Sequence, residues 1–353
     1  MKPKKKINIT LDQYINQALY DKKKGYYMKK NPFGKKGDFT TAPNISRLFS
    51  EMISIWIINF WENLGSPKNL NLVELGAGNG EMMKVLIESF KNFPSFFNTC
   101  NLYIYEKSPI LKKIQKEKLK SNKIIWISNI NQIRNCPTIF VANEFFDAIA
   151  IKQFIKLDNS WLERFVSIKD KDKDKAFFFD KKFNMKNFEK KIKYNISYKQ
   201  NFIEYSEMGI DYLRKISNII KKKSGGILII DYGYFEDKMK NTLQAISNQK
   251  YSNVLEKMGD SDITHNINFN LFKKIIKKIK GLKELTTTQR NFLINMGIKK
   301  RAEIISKNLP FLKKADIYYR MERLIDTKQM GNLFKVMLIK NKSIKFNLGF
   351  ESD

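Results

Sequence analysis

Histidine is almost absent from this 353-residue sequence, which holds only His265. A lone imidazole cannot supply a metal cluster, and no segment offers it the partners of a nucleophilic triad, so no metal site is expected. His265 reads as a satisfied loop residue. Cysteine is nearly as scarce. Cys100 and Cys136 are too few for a disulfide framework and lack metal-ligand spacing, which points to a reducing compartment. Cys136, just ahead of a strand, reads as a small buried residue. Long apolar runs are missing as well. The longest, Met52–Phe60, falls far short of the roughly 20 residues that a membrane span needs, so no membrane insertion is expected. The basic opening, MKPKKKINIT, has neither an apolar signal core nor an Arg- and Ser-rich transit pattern. A bacterial cytoplasm is the expected location, with a trimmed mitochondrial-matrix form as the alternative.

Acidic residues are outnumbered, 35 against 66 Lys and Arg, leaving a net charge of +31. Such a charge invites a nucleic-acid partner. Yet the excess is nearly all Lys and is spread over the whole chain, alongside abundant Ile, Asn and Phe, as an AT-rich genome produces. No specific nucleic-acid site is expected.

What the chain does contain is a change of texture near residue 70. Before it, Thr10 can cap a helix with apolar positions Leu11, Tyr14, Ile15, Ala18 and Leu19. A Gly- and Pro-punctuated loop, 31–43, precedes a long apolar helix from about Ile45 to Asn63, stopped at Gly65. After it, short strands (Leu72–Leu75, Leu102–Tyr105, Ile124–Ile127, Ile139–Ala142, Ile227–Ile230) alternate with helices at about Glu81–Phe90, Pro109–Leu119 and Glu207–Lys222. That alternation predicts an α/β fold, a doubly wound and mainly parallel sheet. Leu285–Thr288 and Phe334–Ile339 would close it as an antiparallel pair at the sheet edge. Two insertions interrupt the rhythm, at about 155–200 and 234–280. The first carries a hairpin, Trp161–Phe183, with the KDKDKDK tract as a solvated tip. The second is an irregular segment with Asp262 and His265, followed by a basic helix. Residues 1–66 thus read as a helical cap with a substrate-side loop, and 67–353 as the catalytic domain.

The segment Leu72-Val-Glu-Leu-Gly-Ala-Gly-Asn-Gly80 carries the chemistry. Gly76, Gly78 and Gly80 let the backbone pass close beneath a ligand at the start of a helix. A nicotinamide dinucleotide fits poorly, because Glu81 stands where G-x-G-x-x-G requires its third glycine. Glu74, just ahead of the glycines, would repel a pyrophosphate but attract a cationic ammonium. E-x-G-x-G-x-G after a strand is the pattern of class I methyltransferases and predicts S-adenosyl-L-methionine as cofactor. Glu106 ends the second strand 26 residues beyond Gly80, where a carboxylate can accept both ribose hydroxyls. Asn129 and Ile130, after the third strand, are candidates for the adenine edge.

Ligands of open α/β sheets sit beyond the carboxyl ends of the strands. The fourth strand ends in Asn143-Glu-Phe-Phe-Asp147. Asn143 is therefore a cofactor candidate, and Glu144 and Asp147 are the leading candidates for work on the acceptor. Asp38, on the cap loop, and Asp231, after the fifth strand, follow them.

Ordered blocks running almost end to end resemble the MidA-like methyltransferases. They include Gly25-Tyr-Tyr27, Gly37-Asp-Phe-Thr-Thr-Ala-Pro43, Val73-Glu-Leu-Gly76, Asn143-Glu-Phe-Phe-Asp-Ala148, Ile230-Asp-Tyr-Gly233, Gly259-x-x-Asp262 and Gln329-Met-Gly331. That family includes a mitochondrial complex I assembly factor that methylates a protein arginine. The resemblance implies a protein substrate, with a respiratory complex I subunit as client. An RNA or small-molecule acceptor is the second reading, and a non-catalytic assembly factor using the fold as a scaffold the third. Asn44 stands where the family usually has Glu, Ser50 where it often has Gly, and Asn266 where it commonly has His or Asp.

Overall fold

The computed structural model describes residues 6–34, 40–169, 172–247 and 249–351. Its centre is a sheet built from β1 (Leu70–Leu75), β2 (Cys100–Tyr105), β3 (Ile124–Ile127), β4 (Thr138–Asn143), β5 (Gly225–Tyr234), β6 (Leu282–Thr288) and β7 (Phe334–Asn341). The order is β6-β7-β5-β4-β1-β2-β3. β7 lies antiparallel between β5 and β6, while β5, β4, β1, β2 and β3 pair in parallel. Only β6 of the closing pair is at the edge.

Helices cover both faces, so the central strands are buried throughout and mostly apolar instead of alternating. Leu70 and Leu72 join the core beneath helices Arg47–Asn63 and Glu81–Phe90. Val73 and Leu75 point the other way, toward helices Glu207–Lys223 and Phe269–Lys277. The long apolar helix starts at Arg47, two residues later than its composition suggests. Ser46 adopts an extended conformation and its hydroxyl accepts from Leu48 N–H at 3.3 Å, capping the helix there. Ala42–Ile45 form a separate short turn.

The N-terminal region is more than a helical cap. Helix Leu11–Tyr20 forms with its expected apolar face buried, but Lys6–Thr10 is a strand paired antiparallel with Ser160–Lys169. The partner lies about 160 residues away in sequence, which local periodicity cannot reveal. The expected hairpin forms from Ser160–Lys169 and Asp172–Phe183, and its tip at 170–171 lies outside the described residues. The second insertion is ordered where irregular chain was expected. Gln244–Ser247, Lys250–Ser252 and Asp262–Thr264 make a small antiparallel sheet, with strands too short to leave a periodic signature. Among the described residues no helix is long and apolar enough to cross a membrane.

Candidate active site

At the end of β1 the chain turns through Gly76 (φ +67°) and Gly78 (φ +52°). A Cβ at Gly76 would come within 3.0 Å of the Phe145 ring, and one at Gly78 within 3.3 Å of the Phe33 ring. Left-handed backbone and close aromatic neighbours together demand glycine at both places. Gly80 precedes helix Glu81–Phe90, and its vacant Cβ position faces Gln115 rather than the cleft. Gln115 itself ties three strand ends together. Its amide donates to Gly78 O at 2.8 Å and to Glu106 Oε2 at 3.1 Å, while its carbonyl accepts from Trp126 Nε1 at 2.9 Å.

Over this turn opens a cleft whose lining includes Tyr20, Tyr27, Phe33, Glu106, Glu144 and Phe145. A recess with Glu74, Asn79 and Asn143 in its wall shares Phe33, Gly76, Gly78 and Glu144 with it. The floor is strand ends, and the roof is aromatic. Tyr20 and Tyr27 stack with centroids 5.6 Å apart, and Tyr27 stacks on Phe33 at 6.3 Å.

Glu74 is buried, and its Oε2 has no hydrogen-bond partner among the described residues. Burial, reinforced by Glu106 nearby, pushes its carboxyl up to about 8. A buried carboxylate with a free lone pair calls for a cationic ligand, and the ammonium of S-adenosyl-L-methionine is one. Glu106 accepts from Ser108 N–H at 2.9 Å as well as from Gln115, yet burial still holds its carboxyl above the ordinary range. It lines the cleft, where a carboxylate oxygen can accept from a hydroxyl donor. The residues present therefore fit the cofactor. Asn143 donates to Glu144 Oε1 at 3.1 Å and keeps an unpartnered Oδ1, again among the described residues. The third-strand candidates stand apart. Asn129 is exposed and caps the turn Ile130–Gln132, Ile130 is buried in the core, and neither lines the cleft.

The carboxylates beyond β4, and Asp231 inside β5 rather than after it, divide by their hydrogen bonds. Glu144 sits at φ +50°, a conformation of order 1 kcal/mol or more above the ordinary ones for a side-chain-bearing residue. Its N–H donates to Ile230 O at 2.9 Å and its Oε1 accepts from Ala42 N–H at 3.4 Å. Burial pushes its carboxyl up to about 7. Asp147 is buried and held well above the ordinary carboxylate range, first by desolvation and then by Asp231, Glu144 and Asp262. Its Oδ1 has no partner among the described residues. Asp231 differs. Its Oδ2 accepts from Phe146 and Asp147 N–H at 2.9 and 3.3 Å, and its Oδ1 from Tyr232 N–H at 2.9 Å. It braces the turn that carries Glu144 and Asp147. Burial and the Glu144 charge push it up to about 8. Asp38 lies outside the described residues.

Several residues here carried no assigned role in the sequence. Tyr27 donates to both oxygens of Asp262 at 2.9 Å, across 235 residues of chain. Asp262 in turn bears electrostatically on Glu144 and Asp147. The Gly25-Tyr-Tyr27 and Gly259-x-x-Asp262 blocks were visible, but not their meeting. Asn44 accepts from Asn79 Nδ2 at 2.9 Å, linking the cap to the glycine turn. His265 is buried, desolvation holds its imidazole below the ordinary range, and its Nε2–H donates to Ile149 O at 3.0 Å. It lines a separate cavity with Asn266, whose N–H donates to Thr242 Oγ1.

Comparison with known proteins adds to this geometry. Residues 52–288 match the model of a family described as S-adenosyl-L-methionine-dependent methyltransferases. A Xenopus tropicalis protein named protein arginine methyltransferase NDUFAF7, mitochondrial, is 28% identical over 370 residues, covering 95% of this chain and 83% of its own length. The Homo sapiens protein of that name is 27% identical, covering 92% of this chain and 78% of its own length. Among solved structures, a Burkholderia thailandensis protein bound to S-adenosyl-homocysteine superposes with a TM-score of 0.79 at 21% identity, covering 98% of this chain and 89% of that one. At that identity the likeness concerns the fold.

Proposed function

Because the chain belongs to the MidA-like family of S-adenosyl-L-methionine-dependent methyltransferases, we propose that its acceptor is an arginine side chain of a protein. The observation that carries this reading is an acidic cluster in which half-buried Glu144 lines the cleft beside the glycine turn and buried Asp147 and Asp262 bear on it electrostatically. Burial and mutual repulsion hold the Glu144 and Asp147 carboxyls above their ordinary range. A guanidinium relieves both, since it is permanently charged and offers several planar donors. The names of the relatives agree with it.

The cofactor supplies a sulfonium methyl open to in-line attack. In this reading Glu74 and Asn143 hold its amino-acid end and Glu106 its ribose. Glu144 and Asp147 grip the guanidinium, orient one nitrogen, and accept its proton as the methyl arrives. A Glu144 carboxyl near 7 suits that task, being ionised with a cation beside it yet basic enough to take a proton. Asp38 is a further candidate for the grip. Asp231 acts through the turn it braces. Tyr20, Tyr27 and Phe33 exclude water from above.

The client class we propose is a respiratory complex I subunit. Intact-mass analysis of candidate subunits incubated with cofactor and this protein tests it, with arginine and lysine versions of one peptide as controls. Methyl gain on the arginine form alone is expected. Transfer to RNA, or to neither peptide nor subunit, overturns the assignment.

A further inference from the structure

Near its C-terminus the chain carries large apolar side chains that the fold leaves uncovered. Ile298–Ser306 and Phe311–Ile325 form a helical hairpin. The longer helix is anchored by its second half, where Met321, Leu324 and Ile325 are buried and Arg320 donates to Ile45 O at 3.1 Å. Its first six residues, Phe311–Asp316, are all exposed. Phe311 and Leu312 are each 80% exposed, Tyr319 66% and Ile304 57%. Single exposed apolar residues are ordinary, but a cluster at a projecting tip marks an interaction site.

The surroundings say what kind. Lys299, Lys307, Lys313 and Lys314 flank these residues and have no ion-pair partner among the described residues, while Glu303 and Asp316 are paired with Lys300 and Arg320. A two-fold contact between copies would press this lysine rim against itself. A protein partner would need pockets to receive two large projecting side chains. A bilayer needs none, and its anionic headgroups complement the rim.

We propose that this tip rests on an anionic membrane surface, with Phe311 and Leu312 in the headgroup region and the four lysines against lipid phosphates. The contact is peripheral, not spanning. Arg320 lies nine residues past Phe311, about 13 Å along the helix axis. Its partner Ile45 ends the turn whose Ala42 N–H reaches Glu144. A docked molecule thus carries its acceptor cleft close to the membrane, where membrane-bound clients can reach it.

The test is co-sedimentation of the full chain with vesicles of phosphatidylcholine alone and of phosphatidylcholine containing about one-third phosphatidylglycerol, at near-physiological salt. The protein should partition onto the anionic vesicles, and Phe311→Ser/Leu312→Ser should weaken that partition by about tenfold. The double variant keeps the net charge of +31, so non-specific attraction cancels between the two proteins. Both residues are exposed, so its thermal midpoint and S-adenosyl-homocysteine affinity should match the wild type. Equal partition of the two proteins overturns the proposal. So does a concentration-dependent dimer, or capture by polyglutamate, that the double variant abolishes while vesicle binding stays unchanged.

Discussion

Glu74 should couple cofactor binding to proton release. Burial and the nearby Glu106 raise its carboxyl to about 8, so in the unliganded protein at pH 6 only about one molecule in a hundred carries it ionised. A ligand ammonium needs the ionised form. Binding therefore drives the proton off, and affinity climbs as pH rises through the free-protein value. From pH 6 to pH 8 the ionised fraction goes from about 1% to about one half, a gain of roughly fiftyfold. S-adenosyl-homocysteine is a convenient ligand because its amino group stays protonated across this range. Calorimetry at pH 7 in buffers of different ionisation enthalpy should report release of about 0.9 proton per ligand. Glu74→Gln should abolish both the slope and the release and bind more weakly at pH 8. The unliganded protein should show the opposite trend in stability. A carboxyl held neutral costs nothing below its ordinary value of 4.5 and destabilises progressively as pH rises toward 8. A wild-type affinity that is flat from pH 6 to pH 8, with no buffer dependence, would refute the reasoning.

Other substitutions probe neighbouring parts of the site. Gly78→Val should weaken S-adenosyl-homocysteine binding by about tenfold or more in calorimetry, since a branched residue at φ +52° is strained and its Cβ would sit 3.3 Å from the Phe33 ring. Glu144→Gln should slow methyl transfer by about 10²- to 10⁴-fold while leaving that affinity nearly unchanged; normal turnover would remove Glu144 from the reaction. Asp231→Ala leaves three N–H groups without their acceptor and should lower stability by about 2 kcal/mol in urea, with relief of the crowded charge offsetting part of the loss. Attraction to RNA should be unselective and fall steeply with salt in filter binding; tight, sequence-selective binding at physiological salt would show the lysines to be a nucleic-acid footprint.

The parts of this protein legible from sequence share one property: their signals are local. The mostly apolar strands, the helix caps and the glycine turn each depend on residues within one or two turns of chain. Glu74 precedes the turn directly and Glu106 ends the next strand, so their approach to adjoining recesses over that turn follows from βαβ connectivity. Even the strand-end position of Glu144 is a consequence of where β4 stops.

Contacts between distant segments were decided only by the tertiary structure. Asp231 and Asp147 are both acidic residues near strand ends, and nothing beside them in sequence distinguishes a brace from a candidate proton acceptor. The difference is that Asp231 faces the backbone N–H groups of Phe146 and Asp147, 85 and 84 residues away, while Asp147 Oδ1 faces none among the described residues. Gln115 reads as one more polar helix residue until three strand ends converge on it. Tyr27 and Asp262 meet only because helix Leu11–Tyr20 packs against the small sheet of the second insertion. Sequence determined the sheet, its glycine turn and the cofactor class, because hydrophobic period and backbone freedom act between chain neighbours. Folding decided the roof, the brace and the acidic cluster, because hydrogen bonding and desolvation depend on which distant segments close over the strand ends.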